Sequence, residues 1–215
     1  MVYGRSAAQW SVSLALLMCL FFPADARADR FTVAGQQLVY DTVTPVDGEQ
    51  HDIRGDDVEE MRSLLRDHPE VSELVIHSTG GGHYASMELA ALVIDFELDT
   101  HIAETCESSC VPVFLGGAKR TMARDARIGF HQLSWNAEAV QQYYDDNRER
   151  YEWETPFEFA EWMYQDTQTE TYNRLAYMVS RGVDAEFAIR TIRKPDTTLW
   201  FPYRAVLMAA GVLTE

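Results

Sequence analysis

The sequence predicts an α/β fold, a mostly parallel sheet flanked by helices. Two observations carry this. Leu74-Val75-Ile76 is a short apolar run that passes straight into Thr79-Gly80-Gly81-Gly82 and then into a helix-forming stretch, and the same order of strand, turn and helix returns between His101 and Leu115. Strands that alternate with helices are buried on both faces, which favours parallel pairing joined by crossover helices.

The chain opens on a segment that reads as a removable secretory leader, residues 1–28. Arg5 supplies a positive charge, Val12 to Phe22 is apolar, and Ala26-Arg27-Ala28 offers small residues for cleavage. The apolar run is about half of the roughly 20 residues that a membrane crossing needs, so an anchor is the weaker alternative. Bulky Leu17 and Met18 before Cys19 argue against a lipoprotein signal. Residues 29–215 then form a single domain, expected to be periplasmic or secreted.

Charge narrows the partners. Asp and Glu number 34 against 18 Lys and Arg, a net charge of −16, and removal of the leader keeps that acidic excess. Such a surface repels phosphate backbones, so no nucleic acid is expected as a partner. No cofactor is expected either: Gly80 to Gly82 lack the Gly-Lys-Ser/Thr ending of a phosphate loop, and His77, His83 and His131 match no compact zinc spacing.

Along the chain, a strand is predicted over Gln37 to Val43, followed by a Pro-, Asp- and Gly-rich loop from Thr44 to Gly55. Asp56 and Asp57 suit the N-terminus of a helix in which Val58, Met61, Leu64 and Leu65 recur at helical spacing until His68-Pro69. The strand at Leu74 to Ile76 feeds a helix from Ala85 to Phe96. A second unit comprises a strand from His101 to Thr105, a turn from Cys106 to Ser108 and a helix from Ser109 to Leu115. Short strands follow near Thr121 and from Arg127 to His131. Residues 137–170 are acidic and aromatic, with helices expected as far as Arg193. The end reads as a strand at Leu199 to Phe201, a helix from Pro202 to Ala210, and Gly211 as its stop.

The chemistry concentrates at the strand-to-helix junctions. Three glycines there let backbone N–H groups face outward at a helix N-terminus, as an oxyanion hole requires and as many plain tight turns also do. Ser109 stands at the next junction on the same sheet edge, although a serine there is commonly a helix cap and Ser108 competes with it for either role. A serine hydroxyl needs an adjacent base, and His131, at the end of the apolar Ile128-Gly129-Phe130 strand, is the best placed. The bland reading of His131 is a core histidine satisfied by backbone. Cys106 and Cys110 are the two cysteines left after the leader is removed; in an oxidising compartment a bridge and two buried thiols are equally open, and a bridge needs Cys106 in the turn before the helix.

His77-Ser78-Thr79-Gly80-Gly81-Gly82, Cys106-Glu107-Ser108-Ser109-Cys110 and Ile128-Gly129-Phe130-His131-Gln132 resemble, in order and spacing, successive motifs of the Clp protease proteolytic subunit family. The segment Asp196 to Pro202 with Ala210-Gly211-Val212-Leu213 resembles that family's aspartate segment. The resemblance extends to crotonase-group relatives and implies a ClpP/crotonase-like fold of repeated β-β-α units. It implies a Ser109, His131, Asp196 triad with the backbone N–H groups of Gly81 and Cys110 as the oxyanion hole. Outside the resemblance, Asp184 and Glu186 are further acids that could orient the imidazole. A Cys106 to Cys110 bridge would then brace the nucleophile turn. Two departures stand out: Thr79 and Leu133 replace prolines, and the stretch between His131 and Asp196 is longer than the family pattern, the surplus falling in 137–170. That insertion is a subunit-packing surface, a lid or a substrate wall, with Phe159, Trp162 and Met163 read first as packing residues.

The resulting expectation is an exported serine hydrolase, an ATP-independent peptidase acting on short peptides or unfolded proteins. An exported chain has no ATP-driven unfoldase as partner, and the resemblance leaves a homo-oligomer open. The alternative is a catalytically silent peptide-binding or assembly module on the same fold. An acyl-coenzyme A enzyme is the third reading.

Overall fold

The computed structural model describes residues 30–44, 51–195 and 197–215, so the leader assigned to residues 1–28 and Asp196 lie outside the described residues. Among the described residues six strands, β1 (Phe31–Ala34), β2 (Gln37–Asp41), β3 (Glu73–Ser78), β4 (Asp99–Glu107), β5 (Arg120–Met122) and β6 (Arg127–Gly129), form one sheet. Its order is β1-β2-β3-β4-β5, with β6 paired to the far end of β4. The β1–β2 hairpin is antiparallel and the other pairs are parallel. Helices α1 (Gly55–Asp67), α2 (His83–Asp95), α3 (Cys110–Leu115), α4 (Ala137–Asn147), α5 (Pro156–Ser180), α6 (Ala185–Thr191) and α7 (Arg204–Ala209) complete a mixed α/β architecture with a mostly parallel sheet flanked by helices.

The alternation expected of a half-covered strand is visible in β3, where Leu74, Ile76 and Ser78 are buried while Glu73, Val75 and His77 are partly exposed. Leu74, Ile76 and Ile102 meet Leu89, Val93 and Phe114 in the core. Strand β2 stops at Asp41, short of Val43, because the Asp41 carboxylate accepts the Val43 and Thr44 amides at 2.8 and 3.0 Å and closes a side-chain turn. Strand β1 adds to the elements expected from sequence; it is short and turns back on Gly35 at φ 63°. The expected strand at Leu199 to Phe201 reduces to one bridge, Phe130 with Trp200.

Asp57, expected as a simple helix-start acid, is 1 % exposed. It accepts Arg30 Nε at 2.8 Å, Arg30 Nη2 at 2.7 Å, the Tyr40 hydroxyl at 2.5 Å and the Arg54 amide at 2.9 Å. A buried carboxylate so fully bonded is a structural tie between the hairpin and α1. The C-terminus is tied likewise: Arg120, with its guanidinium pKa lowered by burial and by neighbouring Arg181, donates to the carbonyls of Gly117, Arg181, Gly211 and Val212.

The segment 137–170 becomes α4 and the first part of α5. Asn136 caps α4 by accepting the Ala139 amide at 2.8 Å, and Thr155 and Glu158 form a reciprocal capping box ahead of Pro156. The two helices meet through an aromatic cluster in which the Trp153 ring lies 5.0 Å from Trp162 and 4.9 Å from Phe159, with Tyr143 5.7 Å from Trp162. Phe159 and Trp162 are thus packing residues. The later part of α5 is anchored to α3: the Tyr177 hydroxyl donates to Pro112 O at 2.8 Å, and Arg181 donates to the carbonyls of Leu115 and Gly116.

Candidate active site

Strands β4 and β6 run parallel with Thr105 opposite Arg127, Cys106 opposite Ile128 and Glu107 opposite Gly129. Each chain leaves the sheet just beyond this point, so Ser108 and His131 emerge side by side at the carboxyl edge, where α/β sheets place their ligand sites. The Ser108 amide still donates to Gly129 O at 3.0 Å. Its backbone then turns to φ 54°, the left-handed region that costs a non-glycine residue roughly 1–3 kcal/mol and persists only where its surroundings over-determine it. This turn directs the Ser108 hydroxyl at His131, Oγ to Nε2 being 2.7 Å.

Of the two adjacent serines, Ser108 meets the imidazole, and Ser109, the nucleophile that the resemblance implies, has no hydrogen bond to it among the described residues. Ser109 has ordinary helical dihedrals, φ −66° and ψ −7°, occupies the N-cap of α3 and is 6 % exposed. Both serines suit a strand-to-helix junction by composition, and the signal that separates them is conformational. The residue that leaves the strand is also the one that must reverse the chain, and its Cβ is what the left-handed twist swings toward the neighbouring strand end.

Around this pair the glycine turn closes tightly. Gly80 and Gly81 lie at φ 99° and 142°. A Cβ on Gly80 would come within 2.7 Å of Glu107 O, 2.9 Å of Ser108 Cβ and 3.0 Å of Ser109 N, so the bare α-carbon of Gly80 is the floor on which the serine turn rests. A Cβ on Gly81 would run into the Ile53 backbone nitrogen. The turn is pinned from the far side, since the Ile53 amide donates to Gly80 O at 2.8 Å and the Gly82 amide to Ile53 O at 2.9 Å. Among the described residues, neither the Gly81 nor the Ser109 amide has a hydrogen-bond acceptor. Cys106 and Cys110 are joined in a disulfide whose Cα atoms stand 5.3 Å apart, and both residues are 0 % exposed.

The site opens into a cleft of about 820 Å³. Its floor is Thr79, Gly81, Ser108, Ser109 and His131; Leu133, Trp135, Val140, Tyr143 and Met163 form an apolar wall contributed by the 137–170 segment and the loop before it. Met163, read from sequence as packing, faces this space. Asp52 beside Gly81, and Asp166 and Glu170 from α5, add acidic groups to the lining, Glu170 sitting 3.1 Å from His83 Nε2. The Asp166 carboxyl is held above its ordinary pKa, first by burial and then by the charge of Glu170.

The orienting acid is the open element. His131 Nδ1 is buried and has no hydrogen-bond partner among the described residues. Asp184 is occupied as the N-cap of α6, accepting the Phe187 amide at 2.9 Å, and Glu186 lies in that helix's exposed first turn. Neither meets the imidazole. Among the described residues no group of three or more His, Cys, Asp or Glu is arranged to hold a metal ion, and no helix is long and apolar enough to cross a membrane.

Against known proteins, no family model matches the chain and no curated protein matches it. Among solved structures it is similar to a point mutant of ClpP1 from Listeria monocytogenes, with 15% sequence identity and a TM-score of 0.48, over 76% of this chain and 85% of that one.

Proposed function

We propose that this chain is a serine hydrolase in which Ser108 is the nucleophile and His131 the base. The observation that carries the reading is the 2.7 Å approach of His131 Nε2 to the hydroxyl of a serine held in the left-handed region at the floor of a cleft. A serine hydroxyl is a weak nucleophile until a neighbouring imidazole removes its proton, and this geometry supplies that step directly. Nε2 takes the proton as Oγ attacks a carbonyl carbon and returns it to the leaving group as the acyl-enzyme forms; a water activated by the same base completes hydrolysis.

The developing oxyanion falls to the amides of Gly81 and Ser109. With Ser108 as nucleophile the residue after it is Ser109, so the donor moves from Cys110 by the same single step as the nucleophile. Each such donor is worth about 3 kcal/mol in barrier height when it is aimed at the oxyanion. Asp196 is the proposed orienter of Nδ1–H, on the strength of its sequence offset to Pro202. The cleft suits a peptide better than a small ester, because its volume of about 820 Å³ and its apolar wall give room for side chains. Export and action without an ATP-driven partner belong to the same proposal, supported by the leader-like segment and by a disulfide at the site. Exposed Phe157, Tyr164 and Tyr172 on α5 support packing against a second copy, which sedimentation of the purified protein would detect.

The second reading, a silent peptide-binding module, is favoured by one observation: His131 Nδ1 lacks a partner among the described residues. An imidazole without an orienter is a poorer base. A fluorophosphonate probe separates the two readings. The hydrolase labels covalently, and loses the label on Asp196→Asn to a large extent; the binding module leaves the probe unreacted while still retaining peptides.

A further inference from the structure

We infer that the Cys106–Cys110 disulfide is a positioning element for the Ser108 hydroxyl, so that the site reaches full nucleophilic reactivity only in the oxidised protein. This rests on the assignment of Ser108 as nucleophile. The bridge encloses only Glu107, Ser108 and Ser109, and it joins the end of strand β4 to the first residue of α3. Within those three residues the chain leaves the sheet, passes through φ 54° and enters a helix.

Two non-covalent restraints act on the same turn. The Ser108 amide is held by Gly129 O and its carbonyl by the Val111 amide at 3.1 Å, while Gly80 blocks movement from below. These fix where the turn starts and ends. Each flanking peptide plane is thus held by a single hydrogen bond, a weaker restraint than a covalent link against exchange of the left-handed conformer for one with negative φ, which an unbranched serine prefers. That exchange carries Oγ away from Nε2. The bridge opposes it by fixing the separation of the two residues that flank the turn.

The stabilisation that a disulfide supplies through chain entropy grows with loop length, and a loop this short gains least from it. The effect of this bridge is accordingly local. Reduced cysteines behave as small apolar side chains, and both positions lie in the core, Cys106 opposite Ile128, so the reduced protein keeps its packing. Complete burial of both residues also shields the bridge from reductants in the folded state. It is therefore set during folding, and a chain made in a reducing compartment stays weakly reactive until it is oxidised.

The test uses the full chain in three forms: oxidised wild type, wild type unfolded with a water-soluble phosphine and refolded in its presence, and the Cys106→Ala/Cys110→Ala double variant. The phosphine gives two electrons to the disulfide, leaving two thiols, and departs as the phosphine oxide with oxygen from water. The readout is the rate of labelling by a fluorophosphonate, with far-ultraviolet dichroism and tryptophan fluorescence as measures of fold. The expected result is labelling at least tenfold slower in the reduced and double-variant forms with both fold measures retained, and recovery on reoxidation of the wild type alone. Native oxidised protein given the phosphine without denaturant keeps its rate. Equal rates in oxidised and reduced protein overturn the inference. So does a reduced wild type that cannot refold, which makes the bridge a staple of the fold. If the double variant alone fails to fold, the reduced wild type decides. Absence of labelling in the oxidised protein instead counts against the serine hydrolase reading itself.

Discussion

The two sides of the cleft are built by different means. On the sheet side, Ser108, Gly80, Gly81 and His131 are placed by backbone: a parallel ladder that ends opposite Gly129, two glycines beyond φ 90°, and an Ile53 backbone that pins the turn. On the helical side, α4 has no buried residue and α5 buries only Phe159, Arg174 and Met178 along its length, so Tyr143 is placed by aromatic side chains packing on one another. Backbone placement tolerates almost no added atom. Side-chain placement tolerates many substitutions at graded cost. The difference teaches that chemistry and recognition in this molecule can be perturbed separately.

The largest separation is expected from Gly80→Val. Its side chain meets backbone atoms of Glu107 and Ser109 and must adopt φ near 99°. Labelling of Ser108 is expected to fall more than a hundredfold and stability by about 3 kcal/mol, read by probe kinetics and urea unfolding. On the opposite wall, Phe159→Ala empties the centre of the aromatic cluster. A loss of about 3 kcal/mol is expected, felt as faster amide exchange over 137–162, with labelling of Ser108 by a small probe changed less than threefold and cleavage of longer peptides reduced more.

The same comparison explains how far the sequence could be read. The alternation of Leu74-Val75-Ile76 with Gly80 to Gly82, and the motif at Ile128 to His131, make the sheet edge legible because such elements are specified by local pattern. Ser108 against Ser109 is not legible in that way. Both are small hydroxyl residues at one junction, and the choice lies in a single φ value at a turn that β6 and Gly80 meet from distant parts of the chain and that the Cys106–Cys110 bridge spans. The Arg30, Tyr40 and Asp57 network is hidden for the same reason, its members being joined only by tertiary contact. In 137–170 the aromatic composition is visible and its packing use follows for Phe159 and Trp162, whereas the placing of Met163 in the cleft depends on how α5 crosses the site.

Two smaller effects sharpen the contrast on the helical side. Arg174 is 4 % exposed with no ion-pair partner among the described residues, and burial pushes its guanidinium down to about 10. Nothing in the structure explains an isolated cation there. Its folded value lies below its ordinary one, so the charged form weakens folding at every pH under about 10; Arg174→Met is expected to stabilise the fold by about 2 kcal/mol at pH 7, read by urea unfolding. Asp166 has the opposite charge and a raised value, so its penalty is absent below the ordinary 3.8, where the carboxyl is protonated in both states, and is in force above the raised value. Asp166→Asn is expected to raise Tm slightly at pH 7 and leave it unchanged near pH 3, by thermal unfolding at the two pH values.

The most direct measurement is fluorophosphonate labelling of wild type, Ser108→Ala and Ser109→Ala, followed by peptide mapping of the labelled residue. Label is expected on Ser108 in the wild type, none in Ser108→Ala, and label retained in Ser109→Ala, whose backbone amide is unchanged. Label retained in Ser108→Ala, or lost only in Ser109→Ala, would contradict the assignment of Ser108 as nucleophile.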